Sequence, residues 1–172
     1  MSDGSARVRD HLRSVAGSLG TDGPLPPHYP TCLGCGPEAA QGFHLQVRRD
    51  GEEVVTEHVF EPRHSGAPGI AHGGAVATVV DDVLGFLLYL AGVPGVTRML
   101  QVDYVKPVRV GVPYTVRARV EQRDGRKVWV TCSGRAGDGV EAFRARGLFL
   151  AVPLEHFDQA PAPGSDPEPV VP

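Results

Sequence analysis

A histidine followed by two glycines, His72-Gly73-Gly74, opens an apolar run, and a carboxylate, Asp81, lies nine residues after the histidine inside that run. Glycines at a helix start present backbone N–H groups to whatever lies beyond the first turn, where the helix dipole favours negative charge. A carboxylate among Ala77, Val79, Val80, Val83 and Leu84 is costly to bury without a partner or a task. Together these residues form a carbonyl-polarising corner and an acid/base group, the equipment for attack on an acyl carbon. In this reading the Gly74 N–H polarises the carbonyl and Asp81, its pKa raised by desolvation, activates water or attacks directly. Taken alone, His72 reads as a helix-capping histidine, and Asp82, about 100° further round the helix, takes the role of a hydrogen-bonded structural carboxylate.

Spacing adds a constraint. Gly74 and Asp81 are seven residues apart, on one helix face but about 10 Å apart along the axis at 1.5 Å per residue. A single carbonyl does not reach both. A two-fold dimer with antiparallel helices resolves this, because Gly74 of one subunit then meets Asp81 of the other and two equal sites result.

The surrounding sequence supplies the elements that hold these residues. Residues 44–49 and 52–60 alternate apolar and polar around Asp50-Gly51, a hairpin signal. A Gly/Pro-rich loop spans 61–69, and a helix follows from about Gly73 to Ala91, ending at Gly92-Val93-Pro94-Gly95. Four further strands are predicted over 96–105, 114–123, 127–135 and 140–152, with turns at Lys106-Pro107, Asp124-Gly125 and Gly137-Asp138-Gly139. Arginines 117, 119, 144 and 146 alternate with apolar residues, which predicts one wet and one packed sheet face. The fold class is α+β, an antiparallel sheet with one central helix laid on its packed face.

The bulk properties narrow the function. A chain of 172 residues with 41% hydrophobic content fits one globular domain with tails. A net charge of −3 and a pI near 6.1 give no electrostatic reason to expect nucleic acid or an anionic membrane surface. The apolar stretch 75–93 carries Asp81-Asp82 at its centre, and roughly 2.5–3.5 kcal/mol for each central carboxylate argues against a membrane span. Cys32, Cys35 and Cys132 are an odd number behind a polar N-terminus, which predicts a reducing cytoplasmic location. The organisation expected is an extension over 1–30 with at most a short helix (8–19), a folded domain over 31–157, and a disordered Pro-rich tail over 158–172.

The runs GIAHGGAVATVVDDVLG and MLQVDYVKPVRVG, within residues 31–152, resemble the hot-dog-fold acyl-CoA thioesterases of the phenylacetate-pathway group. The resemblance implies a curved antiparallel sheet of about six strands wrapped around one long helix. It also implies hydrolysis of an acyl-CoA to acid and CoA, no cofactor beyond the coenzyme A of the substrate, and a homodimer or dimer of dimers. By resemblance Gly74 polarises the thioester, Asp81 is general base or nucleophile, His72 helps hold the site, and Thr97 matches a hydroxyl that orients water in some members. Where those members carry a loop Asn six residues before the histidine, this chain has Gly66, and His64 or Ser65 would have to substitute. Lys106 and Arg109 fall where the family often has basic groups near the CoA phosphates, and cationic side chains at a strand end suit phosphate oxygens. Gly73, His64, Ser65, Lys106 and Arg109 are accordingly assigned to substrate binding. The Gly66 departure keeps open an alternative, a non-catalytic acyl-CoA or acyl-carrier binding module.

Cys32-Leu33-Gly34-Cys35-Gly36 also recurs in relatives. A zinc site needs four ligands, and Cys132 and His44 would complete one only if the fold brought them near. The sequence reading is therefore a tight turn at the substrate entrance with buried thiols, and no metal.

Overall fold

The computed structural model describes residues 4–16 and 21–158. In chain order these form α1 (Gly4–Ala16), β1 (Gly23–Pro24), β2 (Arg48–Asp50), β3 (Glu53–Val59), β4 (Ser65–Ala67), β5 (Ile70–Ala71), α2 (Gly73–Leu90), β6 (Gly95–Tyr104), β7 (Pro113–Asp124), β8 (Lys127–Ala136) and β9 (Glu141–Ala151). Short 3-10 turns occupy Pro62–His64 and Leu154–Asp158. One seven-stranded antiparallel sheet runs β1-β2-β3-β7-β8-β9-β6, and β4-β5 make a small hairpin.

The sheet has the two faces that its alternation predicts. Tyr114, Val116 and Ala118 of β7, Val128, Val130 and Cys132 of β8, and Phe143, Ala145 and Phe149 of β9 are buried, while Arg117, Arg144 and Arg146 point outward. The outer arginines are tied by ion pairs, Arg117 to Asp50 at 2.8 Å and Glu53 at 3.0 Å, and Arg146 to Glu121 at 2.9 Å. Such exposed pairs add little stability each and serve mainly to keep this face wet.

Helix α2 lies on the inner face and is buried through Val76, Val79, Val80, Val83, Leu84, Phe86, Leu87 and Leu88, while the side carrying Gly74, Thr78, Asp81 and Gly85 is less covered. It is long and apolar enough to cross a membrane by composition, but here the sheet supplies its apolar surroundings. Close approach depends on glycine at two points. A Cβ at Gly134 would sit 2.0 Å from the ring of the fully buried Phe143, and one at Gly147 would meet Leu84 of the helix at 3.2 Å.

Three expectations need correction. The first strand is not 44–49 but Arg48–Asp50. His44 has φ +50, and Leu45 and Val47 bond to Gly34 and Leu25 instead of entering the ladder (Leu45 N–H to Gly34 O 3.0 Å, Leu25 N–H to Val47 O 2.9 Å). That diversion creates the unforeseen β1 and raises the strand number from about six to seven. The loop over 61–69 holds a 3-10 turn and a hairpin strand. At the N-terminus the described helix is α1 (Gly4–Ala16), which starts four residues before the expected 8–19, of which 17–19 lie outside the described residues; α1 packs on the Leu154–Asp158 turn, Ser5 N–H donating to Asp158 Oδ1 at 2.8 Å. The predicted disordered tail lies, beyond Asp158, outside the described residues.

Two stability measurements probe this packing. Gly134→Val drives a side chain into Phe143 and should lower stability by about 1–3 kcal/mol, read as the urea midpoint. His58, buried among Phe43, Phe60 and His64 with no partner on Nε2 among the described residues, is held by burial at a pKa of about 4 against an ordinary 6.5. Below 6.5 the unfolded chain takes up a proton that the folded chain refuses, so stability is fully present above 6.5 and is lost as pH falls towards 4. The urea midpoint should therefore drop between about pH 7 and about pH 5, and His58→Phe should drop less.

Candidate active site

The helix start is built by His72. Its backbone is extended (φ −63°, ψ 135°) and its Nδ1 accepts the Gly74 N–H at 2.9 Å, performing the N-cap task usually given to Ser, Thr, Asp or Asn. Nδ1 is thus the unprotonated nitrogen of the ring. A Cβ at Gly74 would stand 3.0 Å from that Nδ1, so the second glycine makes room for the cap.

The two glycine amides of the first turn differ in what they meet. The Gly74 N–H is engaged by His72, whereas the Gly73 N–H has no acceptor among the described residues. Gly73 is also held from the far side, since Tyr104 Oη donates to Gly73 O at 2.7 Å. The open first-turn amide is therefore that of Gly73.

The other residues expected near CoA gather around this turn. His72 N–H donates to His64 O at 2.7 Å, and a Cβ at Gly66 would lie 2.8 Å from His72 Cα. The family's loop Asn has no room on this backbone, which gives Gly66 a steric reason. His64 is buried, stacked on Phe43 at 4.4 Å, and accepts the Glu61 N–H on Nδ1 at 3.0 Å. It is thereby engaged in structure rather than turned to a ligand, and Ser65 is the exposed member of the pair. The segment carrying Lys106 and Arg109 runs beside β5 through Ala71 N–H to Val108 O at 2.8 Å and Val110 N–H to Gly69 O at 3.1 Å, leaving both cations exposed next to the helix start.

Asp81 lies elsewhere, two turns along α2. Its Oδ1 accepts from Thr97 Oγ1 at 3.0 Å. Burial pushes its carboxyl above the ordinary value, with the Thr97 hydrogen bond pulling the other way. A β-bulge makes this contact. Thr97 pairs with Phe149 and Met99 with Leu148, so Arg98 is the extra residue. Opposite Phe149, Thr97 shares that residue's inward face; without the bulge it would share the outward face of Met99 and Gln101. Asp81 and Thr97 line a cavity of about 1090 Å³ whose walls also include His11, Tyr29, Gly85 and Tyr89.

Asp82, about 100° further round the helix, is bonded as a structural carboxylate should be, and with His28 it lines another part of the same cavity wall. Its Oδ1 contacts His28 Nδ1 at 3.1 Å and Cys32 Sγ at 3.1 Å, and His28 Nδ1 lies 3.2 Å from Cys35 Sγ. The cysteine turn is tight, with Gly36 N–H to Cys32 O at 2.8 Å, but its sulfurs face Asp82 rather than the cavity. His44 and Cys132 take no part. Sequence reading passed over His28, for which the spacing His28-x-x-x-Cys32-x-x-Cys35 was the available signal. It also gave no separate role to Tyr104, which stands in the quoted MLQVDYVKPVRVG run.

Comparison with known proteins shows what the chain resembles. Residues 68–143 match the thioesterase superfamily model. The acyl-coenzyme A thioesterase THEM4 of Bos taurus is 29% identical over 121 residues, covering 69% of this chain and 50% of that protein. A crystal structure of a thioesterase superfamily protein is 27% identical, with TM-score 0.66 over 84% of this chain and 77% of its own. A Streptococcus mutans protein solved bound to acetyl CoA shares the fold at 17% identity and TM-score 0.60, over 63% of this chain and 88% of its own. The chain spans about half the length of the curated relatives it matches. The shared sheet-around-helix architecture gives the chain the hot-dog fold, and the helix start, α2 and the following strands are the part that resembles the thioesterase superfamily.

Proposed function

We propose that this chain hydrolyses an acyl-CoA thioester to a free acid and coenzyme A at a site shared between two subunits. The observation that carries the reading is the half-buried Asp81 carboxylate, bonded by Thr97 in the wall of a largely apolar cavity. The name of the Bos taurus relative and the acetyl CoA bound to the Streptococcus mutans neighbour support acyl-CoA as the substrate class.

The Gly73 N–H takes the polarising role that sequence alone gives to Gly74, donating to the thioester oxygen as negative charge develops there. Water beside Asp81 loses a proton to the carboxylate as its oxygen attacks the carbonyl carbon; in the direct variant the carboxylate oxygen attacks and water later cleaves the anhydride. In the water route the tetrahedral intermediate collapses with breaking of the C–S bond, and the proton taken up by Asp81 passes to the thiolate or to solvent. In the direct route that bond breaks as the anhydride forms; in both the electron pair leaves on the CoA sulfur. Thr97 donates to Asp81 Oδ1 and so leaves Oδ2 to face the reactant. Lys106 and Arg109, beside the polarising turn, suit the phosphates, and the cavity beyond Asp81 suits the acyl group.

Gly73 and Asp81 are separated by eight residues of one helix, about 12 Å along its axis. A partner helix running antiparallel brings the two ends together, and β6, a ten-residue strand at the sheet edge, offers the unpaired backbone through which a second sheet would join.

Asp81→Asn should lower thiol release by about 10²–10⁴-fold with fold and acyl-CoA binding retained, and Thr97→Val by a smaller factor through kcat. Acyl-CoA bound by the unaltered protein with no thiol released would instead make it the binding module. The shared site has its own test. Gly73→Pro removes the N–H at the first helical position, where proline is tolerated, and should be as inactive as Asp81→Asn. Refolding the two inactive variants together should restore about a quarter of normal activity, since half the dimers are mixed and each has one intact site; no restoration would place both groups in one subunit.

A further inference from the structure

We propose that His28, Cys32, Cys35 and Asp82 form a structural zinc site that fastens the segment carrying residues 28–35 to the back of helix α2. The inference stands apart from thioester hydrolysis, because none of the four residues has a task in that reaction.

The donor set comes first. One ligand atom from each residue, an imidazole nitrogen, two thiol sulfurs and a carboxylate oxygen, lies within 4.8 Å of all the others. Three of the pairs are closer still, His28 Nδ1 to Asp82 Oδ1 at 3.1 Å, Cys32 Sγ to the same oxygen at 3.1 Å and His28 Nδ1 to Cys35 Sγ at 3.2 Å. A tetrahedron's edge is about 1.6 times its centre-to-corner distance, so zinc bonds of about 2.0–2.3 Å set ligand atoms roughly 3.3–3.8 Å apart. Shifts of a few tenths of an ångström would bring the closer pairs to that spacing.

The second observation is what the cluster leaves unsatisfied. Asp82 Oδ2 is buried and accepts no hydrogen bond from the described residues, while Oδ1 is crowded by two contacts. A carboxylate oxygen withdrawn from water in this way needs a compensating cation or donor. Thiols are weak donors and answer that need poorly, whereas a dication bound to two thiolates answers it directly.

The third is that the surrounding chain is cut to this shape. A Cβ at Gly34 would fall 2.2 Å from Asp82 Cγ, one at Gly36 would fall 2.3 Å from Cys32 N, and one at Gly85 would stand 3.2 Å from the His28 ring. Three glycines thus give the ligands their places. With four protein ligands the coordination sphere is closed, which marks a structural rather than a catalytic ion, and two sulfurs with one imidazole favour zinc over magnesium or calcium. Binding releases the protons of both thiols to solvent.

The ion would sit one residue along the helix from Asp81. It would also fix His28 and Tyr29, which line the cavity, so the metal would brace one cavity wall without touching substrate.

The test uses the full chain produced with zinc chloride in the medium and desalted. Elemental analysis should find about one zinc per chain in the unaltered protein and in Cys132→Ser, whose thiol lies elsewhere in the sheet, and close to none in Cys35→Ser, His28→Gln and Asp82→Asn. Because a variant can lose metal by failing to fold, the unaltered protein stripped with a chelator is also titrated with cobalt chloride. Thiolate-to-cobalt charge transfer with the strong visible bands of tetrahedral coordination, saturating at one equivalent, is expected. Metal-free protein whose cobalt spectrum stays that of the hydrated ion would overturn the proposal, as would zinc retained in the Cys35, His28 and Asp82 variants. A Cys32–Cys35 disulfide in the freshly isolated, zinc-free protein would overturn it in favour of a redox pair.

Discussion

A helix that is apolar on nearly every side yet carries two adjacent carboxylates is the constraint around which this molecule is arranged. Burial of Val76, Val79, Val80, Val83, Leu84, Phe86 and Leu87 requires a sheet that curves around them, and the inner face of β7, β8 and β9 provides it. Asp81 and Asp82 then emerge about 100° apart, on sides that the core does not cover. Each needs its own answer to desolvation, and the two answers differ. Asp82 is bonded by imidazole and sulfur, whereas Asp81 receives one hydroxyl, and both line the same cavity.

Both answers depend on departures from regular geometry. Thr97 reaches Asp81 only because a bulge inserts Arg98 and turns the threonine inward. His28 and the cysteines reach Asp82 only because residues 44–47 leave the strand ladder and bond to Gly34 and Leu25. At the helix start, Gly66 yields its side-chain volume to His72, which then caps Gly74 and leaves the Gly73 amide open. In each case a local irregularity is placed where a polar group has to be aimed, while the long strands and the helix interior stay regular.

That division explains what sequence could and could not disclose. Periodicity located α2 to within one residue and found strands β3, β6, β7, β8 and β9, because burial on one face imposes a repeat of two or 3.6 residues. The wet arginine face, and the placing of Asp82 about 100° round the helix from Asp81, followed from the same rule. Invisible to it were the strand ladder broken at His44, whose positive φ no propensity foretells, and the bulge at Arg98, which alters facing without altering composition. Choosing between the Gly73 and Gly74 amides required knowing where the His72 ring lies. His28 was missed because it precedes the cysteines in a stretch of prolines that carries no periodic signal, although its spacing to Cys32 fits a ligand set.

The adjacency of the two carboxylates has a further consequence for the site. A helix holds neighbouring side chains in fixed angular relation, so any rotation of α2 that improves the surroundings of Asp82 moves Asp81 against Thr97, and the reverse. Close contact of Gly34 with Asp82 on one side and the Thr97 hydrogen bond on the other pin that rotation from both directions. The well-packed sheet beneath permits little slack, since Gly134 and Gly147 already bring Phe143 and Leu84 to contact distance. Orientation of Asp81 therefore rests as much on the cysteine turn beside Asp82 as on Thr97. A group that rigidifies that turn would sharpen the placement of Asp81 without approaching the substrate.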